Sequence, residues 1–176
     1  MFMNDTNFDN AFNKVISSEG GYTNNPKDRG NWTTGIVGKG ECKGTKYGIS
    51  AMSYPNLDIK NLSLNQAKEI YYKDFWLKNC LDKFDPELSY QLFDAIVQHG
   101  KSTAVKLLQK ILNLTADGIL GVTTTKTVLS LNQKILALKY IKQRISYYTS
   151  LSTFNIYGKG WVNRMANNLD SAIKNL

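Results

Sequence analysis

Eight of the thirteen glycines in this 176-residue chain fall between residues 20 and 50. No helical repeat runs through that stretch, whereas helical spacing precedes and follows it. Short alternating pieces such as Trp32-Thr33-Thr34 and Gly35-Ile36-Val37 predict hairpin or irregular structure there. A flexible linker would lack apolar anchors. This stretch carries Tyr22, Trp32, Ile36, Val37, Tyr47 and Ile49, so it reads as an ordered lobe or flap. Ordered loops of that length in a compact domain are usually functional.

The rest of the chain reads as helices in series. Phe8, Phe12, Val15 and Ile16 recur at helical spacing in a first helix over residues 5–17, capped by Asp5 or Thr6. Ser63 and Gln66 form a capping-box pair for a helix to about Lys78, with Leu64, Ala67, Ile70, Tyr71 and Phe75 on one face. Pro86 opens a helix that places Leu88, Leu92, Phe93, Ile96 and Val97 together before Gly100. Further helices are predicted from Ser102 to Leu112, from a cap at Thr123, and from Asn132 to Ser150 with Leu138, Ile141, Ile145 and Tyr148 inward. The last runs from about Gly160, with Trp161, Met165, Leu169 and Ile173 inward. The expected architecture is mainly α (α+β): one helical domain with a small β-lobe after the first helix.

Composition removes several classes of function. Hydrophobic residues make up 42% of the chain, too many for global disorder, and no apolar run is long enough to span a bilayer. Met-Phe-Met-Asn-Asp at the start has neither a basic nor an apolar signal region, so synthesis in the cytoplasm is expected. Twenty-two basic against fourteen acidic residues give a net charge of +8, which favours encounter with polyanions. The lysines are scattered and no nucleic-acid motif accompanies them, so nucleic acid is not expected as the partner. Cys42 and Cys80 are too few for a metal-ligand set and are expected as reduced thiols. A single histidine, His99, and no Gly-x-Ser-x-Gly elbow argue against zinc and against a serine triad. Neither metal nor cofactor is called for.

The chemistry centres on Glu19-Gly20-Gly21-Tyr22, where the first helical pattern stops. A carboxylate at a helix end is held rigidly yet faces a loop, and two glycines beside it leave room for a ligand. By itself this is a surface Glu before a glycine cap. However, Asp28 follows nine residues later, and Gly44-Thr45-Lys46-Tyr47-Gly48-Ile49-Ser50 after that. A helix-end Glu, an Asp on an adjoining lobe and a Thr beside a Tyr-Gly turn are the parts of a sugar-hydrolysing cleft. The Glu protonates the glycosidic oxygen if apolar walls raise its pKa, while the Asp and Thr hold water. Separation of the two carboxylates, about 5 Å against about 6.5–9.5 Å, decides between a nucleophile and a water mechanism.

These runs resemble the glycoside hydrolase family 108 muramidases. The resemblance rests on Glu19-Gly-Gly-Tyr22, Asn25-Pro26-Lys-Asp28-Arg-Gly30 and Thr45-Lys-Tyr47-Gly48-Ile49. It continues through Ala67-Lys-Glu-Ile-Tyr71-Tyr-Lys-Asp-Phe-Trp76, Leu92-Phe93-Asp94-Ala95, Leu108-Gln109, Asp117-Gly118-Ile119-Leu120-Gly121 with Thr124, and Lys159-Gly160-Trp161. It covers about Phe8 to Arg164. It implies a lysozyme-like fold in a single domain, with a catalytic half over about 8–95 and a peptidoglycan-binding-like half over about 96–170. It also implies Glu19 as the acid and, by similarity to phage-type lysozymes, Asp28 and Thr45 as its partners. The implied substrate is bacterial peptidoglycan, cut between N-acetylmuramic acid and N-acetylglucosamine by a monomer acting on the cell wall. The setting is either a phage endolysin or a secretion-linked enzyme.

The chain departs from the family in two places. Residues 31–44 intervene before the Thr-x-Tyr-Gly-Ile turn, so Thr34 competes with Thr45. Gln98-His99-Gly100 stands where an Asn-x-Gly is expected, which makes Gln98 and His99 the substrate-contact candidates there, alongside Tyr22, Trp32 and Tyr47 on the lobe. Asp94, inside an apolar helix pattern, reads as a buried structural hydrogen bond, Trp76 and Trp161 as core, and Glu41 as a solvated charge and reserve carboxylate. Two other functions fit the same residues: a lytic transglycosylase using one Glu and no water, and a non-catalytic wall-binding module.

Overall fold

The computed structural model describes residues 5–16 and 21–176. Among the described residues the chain forms seven α-helices and one two-stranded sheet. It divides into two compact units, one over residues 12–74 and the other over residues 75–176 with the N-terminal segment to Ala11. The boundary passes through helix α1 (Thr6–Ile16), whose first turn is capped by Asp5 Oδ1 accepting from Phe8 N at 2.9 Å.

The 12–74 unit holds the glycine-rich lobe. Strands β1 (Thr45–Lys46) and β2 (Ile49–Ser50) pair antiparallel, with Thr45 opposite Ser50 and Lys46 opposite Ile49. Tyr47 and Gly48 form the two-residue loop between them, both at positive φ (51° and 74°), as a type I′ hairpin turn requires. Helix α2 (Leu64–Ile70) begins with the complete Ser63/Gln66 capping box. It does not continue as one α-helix to Lys78. A π-helical turn over Tyr71–Trp76 follows, then a 3-10 turn over Leu77–Asn79, closed by Cys80 at φ 53°. Tyr71 and Trp76, at the two ends of the π turn, are each fully buried. Ala67 and Tyr71 form the inward face, whereas Leu64 is exposed.

In the other unit, helix α3 (Pro86–His99) is buried from Glu87 to Ile96 and packs against α4 (Lys101–Ile111), α6 (Gln133–Thr149) and α7 (Phe154–Lys174). Phe8, Trp76 and Phe93 meet edge to face with centroids 5.5–5.9 Å apart, and the Trp76 indole donates to Asp5 Oδ2 at 3.0 Å. Each such aromatic pair adds about 0.5–1.5 kcal/mol beyond burial. Helix α5 (Val122–Leu129) has Gly121 at its N-cap rather than Thr123, because Thr124 is drawn inward to Gln109. Helix α7 starts at Phe154, six residues before Gly160. It passes through both glycines in helical conformation, and Gly158 lies against the Phe154 ring. Its buried positions are Gly158, Met165, Asn168 and Ala172; Leu169 and Ile173 are exposed, as is Ile145 on α6. The inward face of α7 therefore includes a polar residue, which apolar spacing does not reveal.

Candidate active site

Asp28 opens a 3-10 turn over Arg29–Asn31. Its Oδ1 accepts from Gly30 N at 2.8 Å, and its carbonyl accepts from Asn31 N at 3.1 Å. This is the cap chemistry expected of an Asp before a tight turn. The carboxylate is exposed, and its Oδ2 has no hydrogen-bond partner among the described residues. Met52 N on the following segment donates to Gly30 O, tying the turn to the hairpin.

The turn delivers Asn31, which is fully buried. Asn31 Nδ2 donates to Asn25 O at 3.0 Å, its Oδ1 accepts from Thr45 Oγ1 at 2.7 Å, and its carbonyl accepts from Gly44 N at 3.1 Å. Asn31 thus meets Asp28 through its backbone N–H and Thr45 through its buried side-chain amide. The Thr45 backbone is fixed separately by a two-way bridge to Thr23 at 2.9 and 2.8 Å. Gly44, at φ 86°, has no room for a side chain: a Cβ would lie 2.4 Å from Thr23 O and 2.7 Å from the Tyr22 ring. Thr34 is placed differently. Its hydroxyl donates to Lys39 O at 2.8 Å and accepts from Ile36 N at 3.3 Å, closing its own turn.

Three aromatic candidates share this unit. Trp32 is half-buried, bridges to Cys42 through its backbone, and its indole donates to Pro26 O at 2.9 Å. Tyr22 lines an open hollow of about 410 Å³ with Cys42, Lys43 and residues 56–60. Tyr47 is held at its positive φ by Tyr71, whose hydroxyl donates to the Tyr47 carbonyl at 2.9 Å, and Lys46 lies over its ring. Glu41 is exposed and pairs with Lys43 at 3.3 Å, a solvated loop charge. Both cysteines are free thiols. Glu19 lies outside the described residues.

Gln98 and His99 belong to the other unit, at the end of a polar seam along α3. Glu87, Gln91, Asp94 and Gln98 recur at helical spacing, and the first three are buried. Glu87 accepts from Gln91, Ser171 and Asn175; Gln91 and Asn168 bond each other; Asp94 receives Arg144 at 2.7 Å, Arg164 and Asn168. Burial alone would raise the Asp94 pKa, but the guanidiniums of Arg144 and Arg164 hold it below the usual carboxylate range. Asp94 is therefore an ion-paired core residue. Gln98 Oε1 accepts from Tyr148 OH at 2.6 Å and from Arg144 at 3.0 Å. The Tyr148 proton is thereby engaged, so His99 Nε2, 3.1 Å from that oxygen, must carry the hydrogen between them. Burial, then the charge of Arg144, pushes the His99 pKa down to about 4, so the ring is neutral at neutral pH. Trp161 is half-buried and stacks on Tyr148 with centroids 5.0 Å apart.

Asn31 was not singled out by sequence reasoning. Its position at the end of an Asp-capped turn is legible, but nothing in Asp28-Arg-Gly-Asn31 says that the amide turns inward. Arg144 and Arg164 were likewise missed. A basic residue inside a helical apolar pattern facing a helix with a buried Asp is the signal that would have paired them.

Among the described residues no helix is long and apolar enough to cross a membrane, and no cluster of His, Cys, Asp or Glu could hold a metal ion. The family model described as Glycosyl hydrolase 108 matches residues 12–100, and one described as Predicted Peptidoglycan domain matches residues 103–166. Among solved structures the chain is similar to SagA of Brucella abortus, with a TM-score of 0.76 and 26% identity over 96% of this chain and 95% of that one. A search of the curated proteins gave no match.

Proposed function

The chain belongs to glycosyl hydrolase family 108 and carries a peptidoglycan domain, and from that premise we propose that it is a muramidase. It hydrolyses the β-1,4 bond between N-acetylmuramic acid and N-acetylglucosamine. Glu19 protonates the leaving oxygen, and Asp28 and Thr45 position the attacking water. The observation that carries this reading is the succession, in one chain, of a glycoside hydrolase segment and a peptidoglycan domain. The 12–74 unit supports the assignment of partners. It presents an exposed Asp28 carboxylate that caps the turn ending at Asn31, and a Thr45 hydroxyl bonded to the buried Asn31 amide, while Thr34 closes its own turn. The wall is anionic and the enzyme basic, so attraction between them concentrates it there and weakens with salt. Its place of action is the wall outside the cytoplasmic membrane, in phage lysis or linked to bacterial secretion, and gene neighbourhood distinguishes the two.

The test is digestion of purified sacculi followed by mass spectrometry. Wild type should release fragments ending in reducing N-acetylmuramic acid. Glu19→Gln should fold and release none, and Asp28→Asn should be slowed at least tenfold. Fragments with 1,6-anhydro ends would make it a transglycosylase instead. Binding of sacculi with no soluble product would make it a wall-binding module.

A further inference from the structure

We propose that Asn31 is a positioning residue that makes Thr45 an obligate hydrogen-bond acceptor towards its ligand. The proposal rests on the muramidase reading, in which that ligand is the attacking water.

The polarity follows from donors and acceptors alone. The Asn25 carbonyl can only accept, so the Asn31 side chain must point its NH2 group there, at 3.0 Å. Its Oδ1 is thereby turned to Thr45 Oγ1, 2.7 Å away, and can only accept. The one proton of Thr45 is committed to Asn31. What Thr45 then offers is lone pairs. A water bound to it donates a proton to Thr45 and keeps its own lone pairs for a carbon on the other side. With its proton free, a threonine could instead bind water through the lone pair needed for attack. Asn31 removes that alternative.

The bond does more than hold the strand. The main chain of Thr45 is already fixed by its bridge to Thr23, and Asn31 is tied to the hairpin through its own carbonyl. The side-chain pair adds control of one rotamer and one proton. It is completely shielded at Asn31, where solvent cannot compete for the amide. The same residue ends the turn that Asp28 caps, its backbone N–H donating to the Asp28 carbonyl.

The test is a double-mutant cycle on soluble N-acetylglucosamine–N-acetylmuramic acid oligosaccharides, with kcat, KM and Tm measured for each variant. Thr45→Val should lower kcat. Asn31→Ala should lower kcat about tenfold, the weight of one hydrogen bond, with KM within about twofold. In the Thr45→Val background, Asn31→Ala should change kcat by less than about twofold, because the group it acts through is gone. Asn31→Asp keeps an acceptor opposite Thr45 but loses the donor to Asn25. It should retain most of kcat while lowering Tm, and it serves alone if Asn31→Ala does not fold. Equal losses of kcat from Asn31→Ala in both backgrounds, or a folded Asn31→Asp as slow as Thr45→Val, would overturn the proposal and leave the muramidase reading intact. Full kcat in Thr45→Val would remove Thr45 from the mechanism and the proposal with it. An active Glu19→Gln would overturn the muramidase reading itself.

Discussion

Asp94→Asn should be the most damaging conservative substitution in the helical unit. The change preserves shape and removes one charge. Arg144, with no exposed side-chain surface, then holds a buried guanidinium without its counter-ion, and its Nε and Nη1 already have no hydrogen-bond partner among the described residues. Removing one member of such a buried pair costs about 3–5 kcal/mol, because the remaining charge is uncompensated. For a chain of this length 1 kcal/mol moves Tm by roughly 2–4 °C, so the expected loss is about 6–20 °C, read by circular dichroism during heating. Arg164, at 16% exposure, can turn to water, and Arg164→Met should cost less. Arg144→Met added to Asp94→Asn should recover part of the loss by removing the stranded charge. The folded Asp94 pKa lies below its unfolded value, so this stability is present above pH ~4 and is lost as pH falls through the folded value. A folded Asp94→Asn that melts within 2 °C of wild type would refute the claim that Asp94 neutralises Arg144.

His99, with its pKa lowered from 6.5 to about 4, resists protonation that the unfolded chain accepts, so stability should decline as pH falls from 6.5 to 4. Solvent screening of this half-buried ring limits the effect to about 1–2 kcal/mol, and urea titrations of His99→Gln should show a flatter pH profile in that window. Gly44→Ala should collapse the lobe, because its Cβ meets Thr23 O and the Tyr22 ring at a positive φ; loss of peptidoglycan release at a nearly unchanged helical signal is the check. Within α7, Gly160→Ala has open space and should stabilise by about 0.5–1 kcal/mol, whereas Gly158→Ala meets the Phe154 ring at 2.8 Å and should destabilise. Thermal melts of the pair distinguish the two glycines.

Much of this molecule is legible in residue order because it depends on neighbours in sequence. The Ser63/Gln66 box, Pro86 at a helix start, the Tyr47-Gly48 hairpin and the Asp28 turn are all settled within a few residues. The mainly helical class with a small β-lobe follows from glycine placement and helical periodicity, and the family from the order of its motifs.

Apart from Asp94, whose burial follows from the apolar helix pattern around it, burial of polar groups was not legible in that way. Apolar spacing put Leu169 and Ile173 inside α7, yet Asn168 and Ala172 are the buried residues. Asn168 faces Gln91 and Asp94 across more than seventy residues of chain, and no local pattern can report a partner that far away. The same holds for Asn31. Local residue order accounts for most of the helices, for the lobe and for Asp28 and Thr45 as candidates. Which amide turns inward and which hydroxyl it holds depend on packing in three dimensions, because a buried hydrogen bond is favourable only where both of its partners are brought together out of water.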